Sequence, residues 1–216
     1  MFDFLDMRSQ SIPIAGVDEA GRGSIIGPLV IAGISIKRNR IPDLAKLGIR
    51  DSKMLTSRAR ESLFKKIIDI SDCLSVIKFE SHEVDRYVFL NGLNELEALG
   101  MANVIDKIQG DKIYIDACDV NLIRYRHSIQ KYMLSSRSIY CLHHADTLNI
   151  VVSAASIVAK IIRDKEIQKI RKVYNEIGSG YPSDEKTMRF IKSWIKIHDS
   201  SPSFARRSWK PLRSML

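Results

Sequence analysis

Two apolar runs open the chain, "SIPIAGVDEA" at residues 11–20 and "GPLVIAGISI" at 27–36, with a glycine-rich connection between them. Apolar runs bounded by turn residues predict strands, and a short connection containing glycine predicts a hairpin. The period then changes. In "LTSRARESLFKKIIDI" the residues Leu63, Phe64, Ile67 and Ile68 recur at helical spacing, with Thr56 or Ser57 placed to cap the helix. "CLSVIKFE" returns to a strand pattern. "NELEALGMANVIDKI" carries Leu96, Leu99, Val104 and Ile108 on one helical face. "DKIYIDA" is a short, almost wholly apolar strand ending at Asp116, and "SRSIYCLHH" predicts a fifth strand.

From Ile150 onward the pattern is helical. "VVSAASIVAKIIRDKEIQKIRKVYNEIG" begins with small residues, turns basic and amphipathic, and has Gly178 available to end it. "YPSDEKTMRFIKSWIKIH" predicts a second helix, capped by Ser183 or Asp184. Met188, Ile191 and Ile195 face one way on it, and Arg189, Lys192 and Lys196 form a basic stripe on the other. The order of elements predicts an α/β fold, a mixed sheet flanked by helices with a C-terminal helical extension. Residues 1–149 would form the body, and residues 150–216 would complete its core and form a basic C-terminal domain.

Composition changes this picture little. Hydrophobic residues make up 45% of the 216 and charged residues 27%, an ordinary soluble globular balance. No apolar stretch approaches the ~20 residues that span a bilayer. "MFDFLDMRSQ" lacks the basic-then-apolar pattern of a secretion signal. The three cysteines, Cys73, Cys118 and Cys141, lie far apart and form no C-x-x-C motif, which suits a reduced, cytoplasmic compartment. Charge is more informative. The chain has 20 basic and 19 acidic side chains through Asn149, against 14 and 6 from Ile150 onward. A near-neutral body with a basic end predicts a polyanionic partner held on one side, unless that end is simply a solvated face.

Asp18 and Glu19 leave the first strand, and Asp116 leaves a later one. Strand ends on one edge of an α/β sheet are where site-forming loops converge. Carboxylates gathered there repel one another unless a cation neutralises them, and oxygen ligands without a cysteine or histidine cluster favour Mg²⁺ or Mn²⁺. The plainer alternative is that each acid pairs with an arginine or caps a turn. A metal site beside a basic region suits phosphodiester hydrolysis, in which two divalent ions activate water and stabilise the leaving oxygen. A nucleic-acid-binding module with purely structural acids is the competing class.

The chain resembles ribonuclease H type 2, the ribonuclease HII of archaeal kind, from about Ile14 to Trp209. The resemblance rests on "GVDEAGRG" with "GP" following, "LGIRDSKMLT", "IYIDACDVN", "VVSAASIVAKIIRD", "GSGYPSD" and "RRSW", in that order. It implies a ribonuclease H-like α/β domain and a C-terminal helical domain that helps clamp an RNA/DNA hybrid. Asp18, Glu19 and Asp116 would be metal-binding catalytic residues, and the fourth would be Asp146, at the family's position before the "SAAS" helix. Asp119 and Asp164 are rivals. Asp164 follows Lys160 by one helical turn, where an ion pair would explain it, and Asp119 would sit in the turn that starts the next helix. His143 and His144 have no role in the family. Gly21, Arg22 and Gly23 would contact the ribonucleotide, their glycines letting the backbone approach the 2′-hydroxyl. Tyr181 would sense the nucleotide after the ribose. Lys53, Arg163, Arg206 and Arg207 are candidate phosphate contacts, although a structural ion pair would also explain Arg163.

The resemblance implies an endonuclease acting on RNA/DNA hybrids and on single ribonucleotides in duplex DNA, with Mg²⁺ or Mn²⁺, two per site, as cofactor. It would cut 5′ to the ribonucleotide by metal-activated water, leaving a 3′-hydroxyl and a 5′-phosphate. A monomer without a membrane partner is expected. "SWKPLRSML" lacks the glutamine-and-aromatic motif with which some archaeal relatives dock a sliding clamp, so no clamp partner is inferred. The surroundings of Asp146, "HHADTLNIVV", depart from the family's pattern. So does Ser24, where proline commonly follows G-R-G, and serine is expected to loosen that turn. The alternatives are a non-catalytic hybrid-binding subunit and another ribonuclease H-like nuclease such as a resolvase or transposase.

Overall fold

In the computed structural model, which describes residues 12–49 and 57–215, the five predicted strands form one sheet in the order β3-β2-β1-β4-β5. They are β1 (Pro13–Ala20), β2 (Leu29–Lys37), β3 (Cys73–Phe79), β4 (Lys112–Asp116) and β5 (Ser138–Leu142). β1, β4 and β5 run parallel. Residues 21–28 join β1 to its neighbour β2, too few for a parallel crossover of a dozen or more residues, so this pair is the predicted hairpin. Asp72, just before β3, donates its N–H to Ser35 O near the end of β2, which sets β3 against β2. The sheet is therefore mixed, as the sequence pattern predicts.

The helices are α1 (Ile41–Lys46), α2 (Ser57–Ile70), α3 (Ser81–Val88), α4 (Leu93–Ile105), α5 (Leu122–Tyr132), α6 (Ala145–Leu148), α7 (Ile150–Tyr174), α8 (Glu185–His198) and α9 (Lys210–Arg213). α2, α4, α7 and α8 are the predicted helices. α7 stops at Tyr174 rather than at Gly178, because Asn175 takes the left-handed conformation at φ 57°. Gly178 lies in the loop beyond it. At the start of α8, Asp184 is the cap, its side chain accepting from Lys186 N at 3.0 Å. Thr56, the alternative cap of α2, lies outside the described residues, as does Lys53.

α3 and α5 escape the hydrophobic pattern for identifiable reasons. The buried side of α3 is Ser81, Val84 and Asp85, two of them polar. α5 buries Tyr125 and Ile129 while Ile123 is exposed, so its apolar stripe is thin.

The described residues form two compact units, each drawn from several separate stretches of the sequence. The first takes residues 12–19, 31–49, 57–77 and 97–161, and the second takes 20–30, 78–96 and 162–215. The C-terminal helices share their core with the β1–β2 connection. Ile25 and Ile26, from the β1–β2 connection, pack with Ile167, Ile177, Ile191 and Leu212.

In the first unit the sheet is covered at close range. A Cβ on Gly16 would meet backbone atoms of Val151 and Val152 at 2.5–2.6 Å, so the start of α7 lies directly on β1. On another face a Cβ on Gly33 would meet Val104 Cγ1 at 2.5 Å. Gly16→Ala is expected to destabilise the protein by about 3 kcal/mol, the upper end for overpacking, since backbone cannot rotate aside. Equilibrium urea unfolding measures this, and a loss under about 0.5 kcal/mol would contradict the contact.

Candidate active site

The register of β1 and β4 brings the first two acids together. Val17 pairs with Ile115, so Asp18 and Asp116 come next, side by side at the C-terminal edge of adjacent parallel strands, about 5 Å apart. Side chains alternate along a strand, so Asp18 shares the face of Gly16, the face on which α7 lies. Two residues along β1 cover about the same distance as one turn of α7 beyond Val152. Ser156 stands at that turn, and its side chain bonds the Asp18 carboxyl.

β4 then pairs with β5, Asp116 opposite Leu142, and the chain leaves β5 through His143 and His144. His144 adopts φ 54°, and Ala145 donates its N–H to Asp116 Oδ1 at 2.8 Å. That turn delivers Asp146, half-buried in α6, close enough for its charge to raise the Asp116 pKa. Ser153 Oγ donates to Asp146 O at 2.6 Å and ties this acid to α7.

Burial dominates the electrostatics. Asp18 is 4% exposed, and desolvation pushes its carboxyl from 3.8 up to about 7, with the charge of Asp116 adding to the rise. Glu19 is held well above its ordinary value by burial first, then by the charges of Asp18 and Glu97. Asp116 is raised by burial ahead of the charge of Asp146. These are the signs expected where like charges share a dry site.

The Asp18 and Glu19 carboxyls also share a side-chain hydrogen bond. Among the described residues no three acidic, histidine or cysteine side chains form a closed ligand cage. Several oxygens are turned by local donors: Asp18 Oδ1 accepts from Glu19 N at 2.7 Å, as Asp116 Oδ1 does from Ala145. Glu19 Oε2, however, is buried with no hydrogen-bond partner among the described residues. A buried carboxylate oxygen left so is costly, and an all-oxygen donor set fits a hard divalent cation.

The rival acids are occupied elsewhere. Asp119 accepts from Asn121 N and from both Nε and Nη2 of Arg124 at the start of α5. Asp164 pairs with the adjacent Arg163 at 3.3 Å, not with Lys160 as its spacing suggested.

The second unit holds the predicted ribonucleotide-contacting residues. Gly21 has φ 86°, and a Cβ there would meet Pro28 O at 2.6 Å. Ser24 donates both its N–H and its hydroxyl to Gly21 O, at 3.2 and 2.8 Å. Serine thus closes this turn with two bonds instead of loosening it, since proline has no N–H to give. Arg22 Nη2 bonds Asn94 Oδ1 at 2.6 Å. Gly23 is exposed, with open space where a Cβ would stand.

The loop carrying Tyr181 adjoins this turn. Gly180 O accepts from Ile25 N and Ile26 N, and Arg163 lies under the tyrosine ring, 4.4 Å from its centroid. Arg163 is 2% exposed and donates to Ser179 O. Arg206 is fully buried and donates to Arg22 O and Gly27 O. Neither guanidinium faces a surface that a phosphate could reach, so both hold loops in place of the contact expected of them. Arg207 is exposed, with Nε on Ser201 Oγ. Ser156, Glu97, Asn94 and Trp209 were not singled out from the sequence, although Ser156 and Trp209 lie within the motifs "VVSAASIVAKIIRD" and "RRSW".

A five-stranded mixed sheet flanked by helices, with further helices towards the C-terminus, is the ribonuclease H-like fold. The sequence model of the ribonuclease HII family matches residues 15–212. The ribonuclease HII of Cenarchaeum symbiosum is 46% identical over 200 residues, covering 93% of this chain and 96% of its own. The crystal structure of ribonuclease H2 from Pyrococcus horikoshii OT3 superposes with a TM-score of 0.89 at 40% identity, covering 94% of this chain and 97% of that one. The Archaeoglobus fulgidus ribonuclease HII, solved in complex with PCNA, gives 0.84 at 34% identity, covering 91% and 95%. The chain belongs to the ribonuclease HII family, whose members are ribonuclease H endonucleases acting on RNA/DNA hybrids.

Because Asp18 titrates near 7 when folded and near 3.8 when unfolded, its contribution to stability is complete below 3.8 and is lost as pH rises through about 7. Glu19 and Asp116 shift in the same direction. A divalent cation would replace the protons these groups hold. The rise in melting temperature on adding Mn²⁺ is therefore expected to be larger at about pH 8 than at about pH 5. Equal rises at both, read by differential scanning fluorimetry, would remove these carboxylates as ligands.

Proposed function

We propose that the protein is an endoribonuclease that hydrolyses RNA in RNA/DNA hybrids and at single ribonucleotides in duplex DNA. It cuts on the 5′ side of the ribonucleotide and leaves a 3′-hydroxyl and a 5′-phosphate. The observation that carries this reading is the β1–β4 register, which sets Asp18 beside Asp116, with Asp146 adjoining Asp116 and Glu19 next along β1.

Asp18, Glu19, Asp116 and Asp146 hold the cofactor in this reading, Glu19 Oε2 gaining the partner it otherwise lacks. Divalent cations bound there, Mg²⁺ or Mn²⁺ and two per site, supply charge neutralisation at the phosphodiester and lower the pKa of the attacking water. Ser156 orients Asp18, and the Ala145 N–H orients Asp116. The 21–23 backbone contacts the ribose, and the absence of a side chain at Gly23 allows a sugar to approach. Tyr181, held flat by Arg163, stacks on the next nucleotide. The exposed Arg207, the α8 stripe of Arg189, Lys192 and Lys196, and Lys53 by family resemblance neutralise backbone phosphates. The enzyme works as a cytoplasmic monomer in ribonucleotide removal during DNA replication. Among the described residues no helix is long and apolar enough to cross a membrane.

A duplex DNA with one internal ribonucleotide, incubated with Mn²⁺ and mapped at nucleotide resolution, tests the reading. A cut 5′ to the ribonucleotide, absent in an all-DNA control, is the expected result. Asp18→Asn should abolish the cut while hybrid binding survives, and equal loss of both would contradict a catalytic role. Tyr181→Ala should lower kcat/KM on this substrate by about tenfold, the value of one base–aromatic stack. Tight hybrid binding by the unmodified protein without any cutting would make it a binding subunit instead.

A further inference from the structure

α3 has no part in the functional reading so far, yet its buried side is polar. Ser81 and Asp85 are one helical turn apart and so share a face, at 2% and 8% exposure. Ser81 Oγ donates to Phe204 O at 2.7 Å and to Gly27 O at 3.3 Å. The Asp85 carboxylate accepts from Arg207 N at 2.8 Å, from Ser208 N at 2.9 Å and from Ser208 Oγ at 2.5 Å. Three donors on one buried carboxylate fix it in place, and they fix the backbone that supplies them.

That backbone carries the two side chains that grip the 21–27 turn. Arg206 N donates to Ile25 O, and its guanidinium donates to Arg22 O and Gly27 O. Trp209 Nε1 donates to Gly23 O at 3.3 Å, with the Arg206 guanidinium 4.9 Å from its ring centroid. The contacts form one line: Asp85 to the 207–208 backbone, that backbone to Arg206 and Trp209, and these to the carbonyls of Arg22 and Gly23.

We infer that Asp85 is a positioning residue for ribonucleotide recognition, holding residues 206–209 so that the 21–23 turn keeps its ribose-contacting conformation. The inference rests on the function proposed above for residues 21–23. It separates recognition from chemistry, because the Asp85 bonds end on the second unit's loops and the carboxylate cluster lies in the first. Loss of Asp85 should therefore weaken substrate binding and leave metal binding intact.

Asp85→Asn preserves size but puts an amide N–H₂ against N–H donors, and Ser208→Ala deletes the hydroxyl bond alone. Both would be made in a Trp194→Phe background, which leaves Trp209 as the one tryptophan of the chain's two. Asp85→Asn is expected to raise KM for the single-ribonucleotide duplex about tenfold, the scale of one lost charged hydrogen bond, with kcat changed less than about twofold. Half-saturation by Mn²⁺ should stay unchanged, and exchange of the Trp209 indole proton, monitored by NMR, should accelerate. Ser208→Ala should move KM and exchange the same way by less, and it serves alone if Asp85→Asn does not fold. Unchanged KM and unchanged indole exchange would overturn the inference. So would a fall in kcat and Mn²⁺ affinity together with the melting temperature, which marks general loosening. If the unmodified protein does not cleave this duplex, the proposed function fails, and the indole exchange still decides whether Asp85 holds the turn.

Discussion

The site depends on the approach of the α7 backbone to β1 at Gly16. With no side chain there, the helix start lies against the strand at a distance that any Cβ would forbid. Asn149 bonds the N–H of Val151 at 2.9 Å and fixes the first turn of α7 at that place. Strand rise and helix pitch then set which side chains meet. Ser156 comes level with Asp18, and Ser153 reaches the backbone of Asp146. Two serines of one helix thereby address acids from two distant parts of the sequence.

Gathering those acids opposes folding. Asp18, Glu19 and Asp116 are raised above their ordinary values chiefly by burial, so the fold holds them in a place where ionisation is unfavourable. Such a cluster is poorly suited to a merely structural role, because the same positions filled by apolar residues would be more stable. A cation bound there, as proposed above, would reverse the balance, turning repulsion among carboxylates into shared attraction. Glu97 and Cys118 extend the polar region inward, the thiol donating to Glu97 Oε2 at 2.7 Å, and Glu97 adds its charge to the pressure on Glu19.

The second unit meets a different demand, holding irregular backbone rigid without a sheet. Its turns are fixed by buried cations and hydroxyls that bond carbonyls: Arg163 on Ser179, Arg206 on Arg22 and Gly27, Ser81 on Gly27 and Phe204, Thr187 Oγ1 on Ile177. Arginine suits this work because one planar guanidinium can serve several carbonyls in fixed directions. The basic excess of the C-terminal region accordingly divides in two. Some of it is buried as internal fastening, and a further share, on α8 and at Arg207, is exposed.

The sequence by itself determined the five strands, the four long helices, the mixed-sheet class and the family, because each rests on local periodicity or on contiguous motifs. It also marked Asp18, Glu19 and Asp116 as candidates, since acids at the ends of apolar strands are legible without coordinates; Asp146 came from family resemblance. Only the tertiary structure decided what those residues touch. Ser156 and Glu97 were invisible as partners because the helices bearing them are placed by packing, not by spacing. α3 went unread because its buried side is polar, and hydrophobic periodicity cannot register a face whose partners are carbonyls and N–H groups. The two-unit division likewise joins residues 20–30 and 78–96 to the C-terminal helices, a choice made by long-range apolar contacts that no local pattern encodes.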